Sequence, residues 1–458
     1  MPELQKIKGT KDLYGEEIRK YRKLEELIRH ICYLYQYNEI QTPEFEKTEV
    51  FKRENDSSDV VNKEMYTFLD NGNRSLTLRP EGTAGVMRSI VENKLYTNPD
   101  LPLKLYYLES FFRSEKPQKG RYRIFHQFGV EVVGVKSPVV DAETVAVGYT
   151  VLSTVGLKDI KVLINTLGDD ASRDAYRTTL KEHFKDSVSE LCPDCQRRYE
   201  QNPLRILDCK VDMNHPAIVS APKLEDSLNE ESKEYFELFQ SCLTTLGIPY
   251  QIEDRLVRGL DYYTNTVFEI ISTNEKIGSQ ATLCGGGRYD HLLEYFDGPE
   301  LSGIGFGLGM ERLMLACEDE GIEIDASNDV DVYVMCLDKN YLKDALALAT
   351  ICRSSGFTTE MDYQGRSMKA QFKSVDRKEA KVVAILGEDE AKNAQVSLKN
   401  IETQEQVTVS YYDMVAQLDH WFAEEHDHEH GHGCGCGQDH DGECNCEDGE
   451  CDCGHHHH

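Results

Sequence analysis

The sequence predicts an α+β chain in three parts. A large first domain covers residues 1–325, with a helical insertion at about 168–250. A small doubly wound α/β domain covers 329–422, and a low-complexity tail covers 423–458. Three observations carry this reading. Apolar strand-like runs recur through the first 325 residues, interrupted by a polar, mostly helical stretch. Strand and helix patterns then alternate as βαβαβ. Beyond Phe422 the composition collapses to His, Cys, Gly and acid, which cannot build a core.

Glu16 to Tyr37 has Leu, Ile and charged residues at helical spacing and ends in a Tyr-Asn turn. Ile40–Pro43, Leu76–Leu78, Leu103–Leu108 and Phe128–Val133 read as strands. Val267–Ile271 is another, with Val267, Glu269 and Ile271 on one face and Phe268 and Ile270 on the other. Gly303–Leu315 reads as a glycine-rich helix entry, and Cys284–Asp290 as a turn. A linker falls near Glu323–Asn328. Asp331–Cys336, Thr358–Glu360 and Val382–Leu386 then read as strands, with helices at Leu342–Ser354 and Ser367–Val375 between them.

At 458 residues the chain is long enough for two or three cores. No apolar run reaches the ~20 residues of a membrane span, and no apolar core follows the N-terminus. A cytoplasmic protein without a membrane partner is expected. The net charge is -30, of which eleven acids and no base lie beyond Phe422. Unselective nucleic-acid binding is thereby disfavoured, while local basic patches are not. Fifteen cysteines, nine of them scattered over the body, read as reduced thiols or metal ligands.

Several clusters carry chemistry. Glu81, Gly82 and Thr83 follow a strand; they suit an ammonium group, or equally a helix start. Arg113 ends an apolar strand, where its fork can clamp a phosphate, with Glu115 beside it. Lys116, Lys119, Arg121 and Arg123 then surround Gly120, and Gln118 lies in the same loop, which suits a polyanion. On the next strand Gln127, Gly129 and Glu131 share one polar face. Alternate glycines from Gly303 to Gly309 suit a flat ligand or tight packing, and Arg312 opens the following helix. The segment LVRGLDYYTNTVFEI sets Arg258, Tyr262 and Tyr263 ahead of a strand.

Together these clusters resemble the histidyl-tRNA synthetases, a class II aminoacyl-tRNA synthetase family. The resemblance runs from Lys8 to about Phe422. YNEIQTPEFEKTEVF looks like class II motif 1, FRSE with its basic loop like motif 2, and GIGFGLGMERL like motif 3. LVRGLDYYTNTVFEI and GGGRYDHLL resemble the two histidine-specific signatures. The family implies a six-stranded antiparallel sheet flanked by helices, a C-terminal anticodon-binding domain and a homodimer. It implies ligation of L-histidine to tRNA(His) through a histidyl-adenylate, with ATP and Mg2+. Glu81, Gly82, Thr83, Gln127, Glu131, Tyr262 and Tyr263 are then expected around histidine. Arg113, Glu115, Arg258 and Arg312 are expected around ATP, with Arg113 and Arg258 catalytic and Glu115 and Glu131 near magnesium. Gln118, Arg121 and Arg123 are expected to meet the tRNA. The alternatives are a synthetase-like regulatory subunit of histidine biosynthesis, and a metal-storage or chaperone protein centred on the tail.

Two metal sites are also candidates. In the tail, His426, His428, His430, His432, Cys434, Cys436, Cys444, Cys446, Cys451 and Cys453 suit zinc, nickel or copper; the final four histidines have the form of a short tag. In the insertion, Cys192, Cys195 and Cys209 form a zinc pattern, with Cys242, His183 or His215 as the fourth ligand.

Overall fold

The computed structural model describes residues 4–52, 60–209, 211–257, 262–274 and 281–429. The chain divides into two compact units, one ending at Ala326 and the next starting at Ser327.

The first unit opens on α1 (Gly15–Leu34), which buries Tyr21, Leu24, Ile28 and Ile31 at three- and four-residue spacing. Strands β1 (Asn38–Glu39) and β2 (Phe45–Lys47) follow, so the pairing expected at Ile40–Pro43 falls slightly earlier. The turn α2 (Thr48–Phe51), the hairpin β3 (Tyr66–Leu69) and β4 (Ser75–Leu78), and helix α3 (Thr83–Glu92) come next. The long hairpin β5 (Leu103–Phe112) and β6 (Ile124–Val133) leads to α4 (Pro138–Thr154) and β7 (Ile160–Thr166). Ser137 caps α4, accepting from the Val139 N–H at 3.3 Å, and Pro138 starts it. The polar stretch folds as α5 (Asp170–Phe184), α6 (Pro193–Gln201), α7 (Pro216–Val219) and α8 (Glu230–Thr245). The chain then returns through β8 (Tyr250–Ile252), β9 (Thr264–Ser272), β10 (Thr282–Tyr289), β11 (Gly303–Gly309) and α9 (Met310–Glu320).

These strands make an eight-stranded sheet in the order β1-β5-β6-β11-β10-β9-β7-β8. The six central strands are antiparallel, as the resemblance implies; β1 and β8 add one parallel strand at each edge. A separate three-stranded sheet has the order β2-β4-β3.

Two elements differ from the sequence expectation. The glycine run before Arg312 is not a helix entry but a central strand, and Cys284–Tyr289 is a strand rather than a turn. Both were misread because glycine is normally depleted in strands. The registers explain its presence. Gly287 and Glu131 lie on either side of Gly305, and Gly285 and Gly129 on either side of Gly307. A Cβ at Gly305 would stand 2.1 Å from Glu131 Oε2, and one at Gly307 2.2 Å from Gln127 Nε2. The glycines clear room for side chains lying flat across the sheet.

One sheet face packs Phe128, Val130, Phe268, Ile270, Ile304 and Phe306 against α1, α4, α8 and α9. At its margin lies a buried ion pair, Asp141 of α4 with Arg288 of β10, both side chains fully buried. Asp141 also accepts from the Tyr235 hydroxyl at 3.0 Å and from Thr266, while Arg288 donates to the Val135 carbonyl at 3.0 Å. The other face carries Tyr107, Val267 and Tyr289 and packs with the insertion.

The second unit comprises β12 (Val332–Cys336), α10 (Leu342–Ser354), β13 (Thr359–Met361), α11 (Met368–Arg377), β14 (Val382–Leu386), α12 (Glu388–Lys392), β15 (Gln395–Asn400), β16 (Gln406–Ser410) and α13 (Met414–Glu429). Its sheet order is β13-β12-β14-β15-β16, three parallel strands continued by two antiparallel ones. The last two strands were not foreseen. Helix α13 runs on to Glu429, into the segment expected to lack a fold. Trp421 and Leu418 anchor it in the core.

Breaking the buried ion pair strands a charge. Replacing Arg288 by Met is therefore expected to destabilise the protein by about 3–5 kcal/mol, read as a lowered urea midpoint.

Candidate active site

A polar cavity opens beside the large sheet. Glu81, Gly82 and Thr83 reach it from the start of α3, Gln127 from β6, and Tyr262 and Tyr263 from the approach to β9. Arg113 and Glu115 follow the end of β5, Arg121 comes from the hairpin loop, and Arg312 from the first turn of α9. Residues scattered over more than 230 positions thus share one wall.

Each end has its own chemistry. At one end the Tyr262 and Tyr263 rings lie 4.7 Å apart, and Tyr262 meets Tyr289 edge-on at 5.8 Å. Glu81 is nearly buried; its Oε1 accepts from the Ala84 N–H at 3.0 Å. The helix-start contact is thus made while the residue still lines the cavity. Thr83 donates its hydroxyl to Glu131 Oε1 at 2.7 Å.

At the other end three guanidiniums converge. Arg113 donates to the Pro80 carbonyl at 2.9 Å and lies 5.1 Å from the Phe125 ring centre. Arg312 donates to the Thr282 carbonyl at 2.7 Å. Burial, with Arg121 and Arg113 beside it, holds Arg312 down to about 10. Such a cluster favours a polyanion, which would offset the mutual repulsion. Glu115 accepts from Arg121 at 3.2 Å and keeps further lone pairs. Glu115, Glu81 and Glu311 make the carboxylate set of the wall, and an all-oxygen set fits a hard cation such as magnesium.

Several expected residues sit elsewhere. Glu131 does not line the cavity; it is fully buried beneath it. It accepts from the Thr83, Tyr107 and Tyr289 hydroxyls. Arg121, expected at the tRNA, turns into the cavity instead. Gln118 remains exposed on the loop, paired through its backbone with Arg121 around Gly120, whose φ is +73°. Arg123 packs against Gly9 and donates its backbone N–H to the Gly9 carbonyl at 2.7 Å. Its own carbonyl accepts from the Arg113 N–H at 2.9 Å, so the N-terminal segment braces the base of the loop. Arg258 lies outside the described residues, as do His430, His432 and the six tail cysteines; the His426 and His428 side chains are likewise not described.

Sequence reasoning missed Tyr107 and gave Tyr289, within GGGRYDHLL, no role of its own; both close over Glu131. The signal was present. Tyr107 pairs with Gly129, and a Cβ there would stand 2.2 Å from the Tyr107 ring. A glycine inside a strand marks a close neighbour. Glu311 was also missed; both its oxygens accept from the His126 N–H, at 3.0 and 3.1 Å.

An antiparallel sheet, an arginine at the end of one strand and a second arginine opening the helix after a glycine strand define a class II synthetase. A family model described as histidyl-tRNA synthetase matches residues 9–313, and one described as anticodon binding domain matches 331–421. The chain belongs to the histidyl-tRNA synthetase family. It is 50% identical to a histidine–tRNA ligase of Lysinibacillus sphaericus over 412 residues, which is 90% of this chain and 98% of the relative. It is 49% identical to that of Anoxybacillus flavithermus, with the same coverage. It also resembles the solved apo histidyl-tRNA synthetase of S. aureus, with 42% identity, a TM-score of 0.79, and 91% and 100% of the two chains covered. The histidyl-tRNA synthetase of Nostoc sp. PCC 7120, at 21% identity and TM-score 0.65, shares the fold, with 92% and 100% covered.

Burial pushes the Glu131 carboxyl up to about 8, against the pull of its three hydroxyl donors. Between its ordinary value and that point only the folded chain holds the proton. Stability is therefore greatest below the ordinary value and falls as pH rises toward the folded one. Between about pH 5 and 7.5 the parent is expected to lose on the order of 1 kcal/mol per pH unit relative to Glu131→Gln, measured by urea unfolding at each pH.

Proposed function

We infer that this chain activates L-histidine with ATP and transfers it to tRNA(His), as a histidine–tRNA ligase. The observation that carries this is one cavity with an anion-binding arginine end and a tyrosine-lined polar end. The curated relatives bear that name over nearly their whole length.

In this reading histidine sits at the tyrosine end. Glu81 takes its α-ammonium group, and Gln127 and the Tyr262 and Tyr263 hydroxyls serve the imidazole. Glu131 acts from below by holding Thr83, Tyr107 and Tyr289 in place, as a positioning residue. The histidine carboxylate attacks the α-phosphate, giving histidyl-adenylate and pyrophosphate. The terminal adenosine hydroxyl of the tRNA then accepts the aminoacyl group. Arg113 holds the α-phosphate, Arg312 the γ-phosphate, and Arg121 adds charge near the polyphosphate. Magnesium bound with the nucleotide neutralises phosphate charge, and Glu115 is the wall carboxylate suited to hold it. Arg258, four residues before Tyr262 in the chain, is the expected transition-state cation.

ATP and tRNA as substrates imply a cytoplasmic enzyme, and no described helix is long and apolar enough to cross a membrane. A homodimer is supported by the exposed aromatics Phe45 and Phe68 on the small sheet, within and next to the motif 1 region. A regulatory subunit is disfavoured, because Arg113 and Arg312 both line the cavity and the anticodon model matches. A metal-storage role rests on tail composition alone, and the matched regions stop at residue 421.

ATP–pyrophosphate exchange with each amino acid in turn tests the assignment; stimulation by histidine alone is expected, and none by histidine would sink it. Arg113→Ala and Arg312→Ala are each expected to lower that exchange on the order of 100-fold or more. Arg121→Ala should impair exchange as well as tRNA charging; damage to charging alone would return Arg121 to the tRNA. Arg258→Ala should lower adenylate formation by several orders of magnitude while histidine affinity holds. A large rise in histidine Kd with near-normal single-turnover chemistry would count against that role.

A further inference from the structure

Away from the cavity, the insertion brings four metal-ligating groups together. Cys192 caps α6, Cys195 lies in its first turn, and Cys209 and Asp212 come from the loop beyond it. Their ligand atoms all lie within 4.8 Å of one another. We propose that Cys192, Cys195, Cys209 and Asp212 form a structural zinc site that staples the insertion.

The distances fit that ion. Tetrahedral zinc with Zn–S bonds of about 2.3 Å separates two sulfurs by about 3.8 Å. With a Zn–O bond of about 2.0 Å, sulfur and oxygen stand about 3.5 Å apart. The Cys192 and Cys209 sulfurs are 3.8 Å apart, and Cys209 Sγ lies 3.6 Å from Asp212 Oδ2. A disulfide would require about 2.05 Å.

The surroundings orient the ligands. The Asp212 N–H donates to Cys209 Sγ at 3.4 Å. The Cys192 N–H fixes Asp212 Oδ2 at 2.9 Å. Backbone N–H groups on ligand sulfurs are the outer-shell contacts that hold such a site in shape. Cys195 and Cys209 are buried and Cys192 and Asp212 half-buried, which leaves an entry path on one side.

The fourth ligand is therefore not one of the three foreseen. His183 Nε2 is engaged with the Ala217 carbonyl at 2.8 Å, and His215 Nδ1 accepts from the Ala217 N–H at 3.3 Å. Cys242 is on α8, outside the cluster. The site joins two segments of the insertion, whose Leu180, Phe184, Leu191, Ile206 and Ile218 pack in the same cluster as the sheet residues Tyr107, Val267 and Tyr289.

The test uses the full chain, because the tail also offers ligands and must be common to every sample. Parent and Cys209→Ser are dialysed identically against a moderate chelator, and zinc is counted per chain. Amide exchange is followed in peptides over 191–212, with and without zinc. The parent should retain one more zinc than the variant, and zinc should slow exchange there about tenfold or more in the parent only. Asp212→Cys should keep the zinc. If Cys209→Ser fails to fold, Asp212→Ala carries the same comparison. Equal zinc in parent and variant, zinc-independent exchange, or a Cys192–Cys209 disulfide in protein purified without oxygen would each overturn the site.

Discussion

Glu131 receives hydroxyl donors from three separate elements: Thr83 of α3, Tyr107 of β5 and Tyr289 of β10. Its own strand supplies the carboxylate, and Gly305 of β11 leaves the space it occupies. A buried carboxyl is costly unless its lone pairs are filled. Here the filling groups are the same side chains that shape the tyrosine end of the cavity. A shift in any of the elements would leave polar atoms unpaired, so the cavity floor is held in one arrangement. The glycine strand, the tyrosines and the start of α3 make sense only together.

Two other charge problems are solved differently. Arg288 and Asp141 satisfy each other at full burial, with hydroxyl and carbonyl partners around them. Pairing of that kind brings little net stability but punishes loss of either member. Around the cavity, Arg113, Arg121 and Arg312 crowd together, and Arg312 is held below its ordinary range. A fixed, partly compensated positive field is what a polyphosphate requires, because no protein reorganisation is then needed when it arrives.

Much of this was legible in the sequence. Arg113, Arg312, Glu81, Gln127, Tyr262 and Tyr263 were singled out from strand ends and local chemistry, and they do line one cavity. Alternation placed Val267 and Phe268 on the correct faces. The failures share a cause, which is that they depend on cross-strand neighbours. Gly305 and Gly307, opposite Glu131 and Gly129, were read as helix-entry residues, since their partners in β6 were unknown. Glu131 was placed on the correct face of its strand, while its full burial depends on neighbours from three other elements. Arg121 was assigned by the charge of its loop, and only the hairpin geometry turns it inward. Asp212 escaped notice because one acid among many carries no spacing signal.

The contact at Gly9 has a practical consequence. Its carbonyl anchors the Arg123 N–H, and any side chain at that position would strike Pro117, whose Cγ would lie 2.6 Å from the added carbon. The beginning of the chain is thus a working part of the arginine loop, not a disposable lead-in. Proteolytic trimming up to Thr10, or a bulky fusion partner crowding that stretch, would loosen a loop more than a hundred positions downstream. Preparations intended for nucleotide measurements should keep those first residues intact and unencumbered.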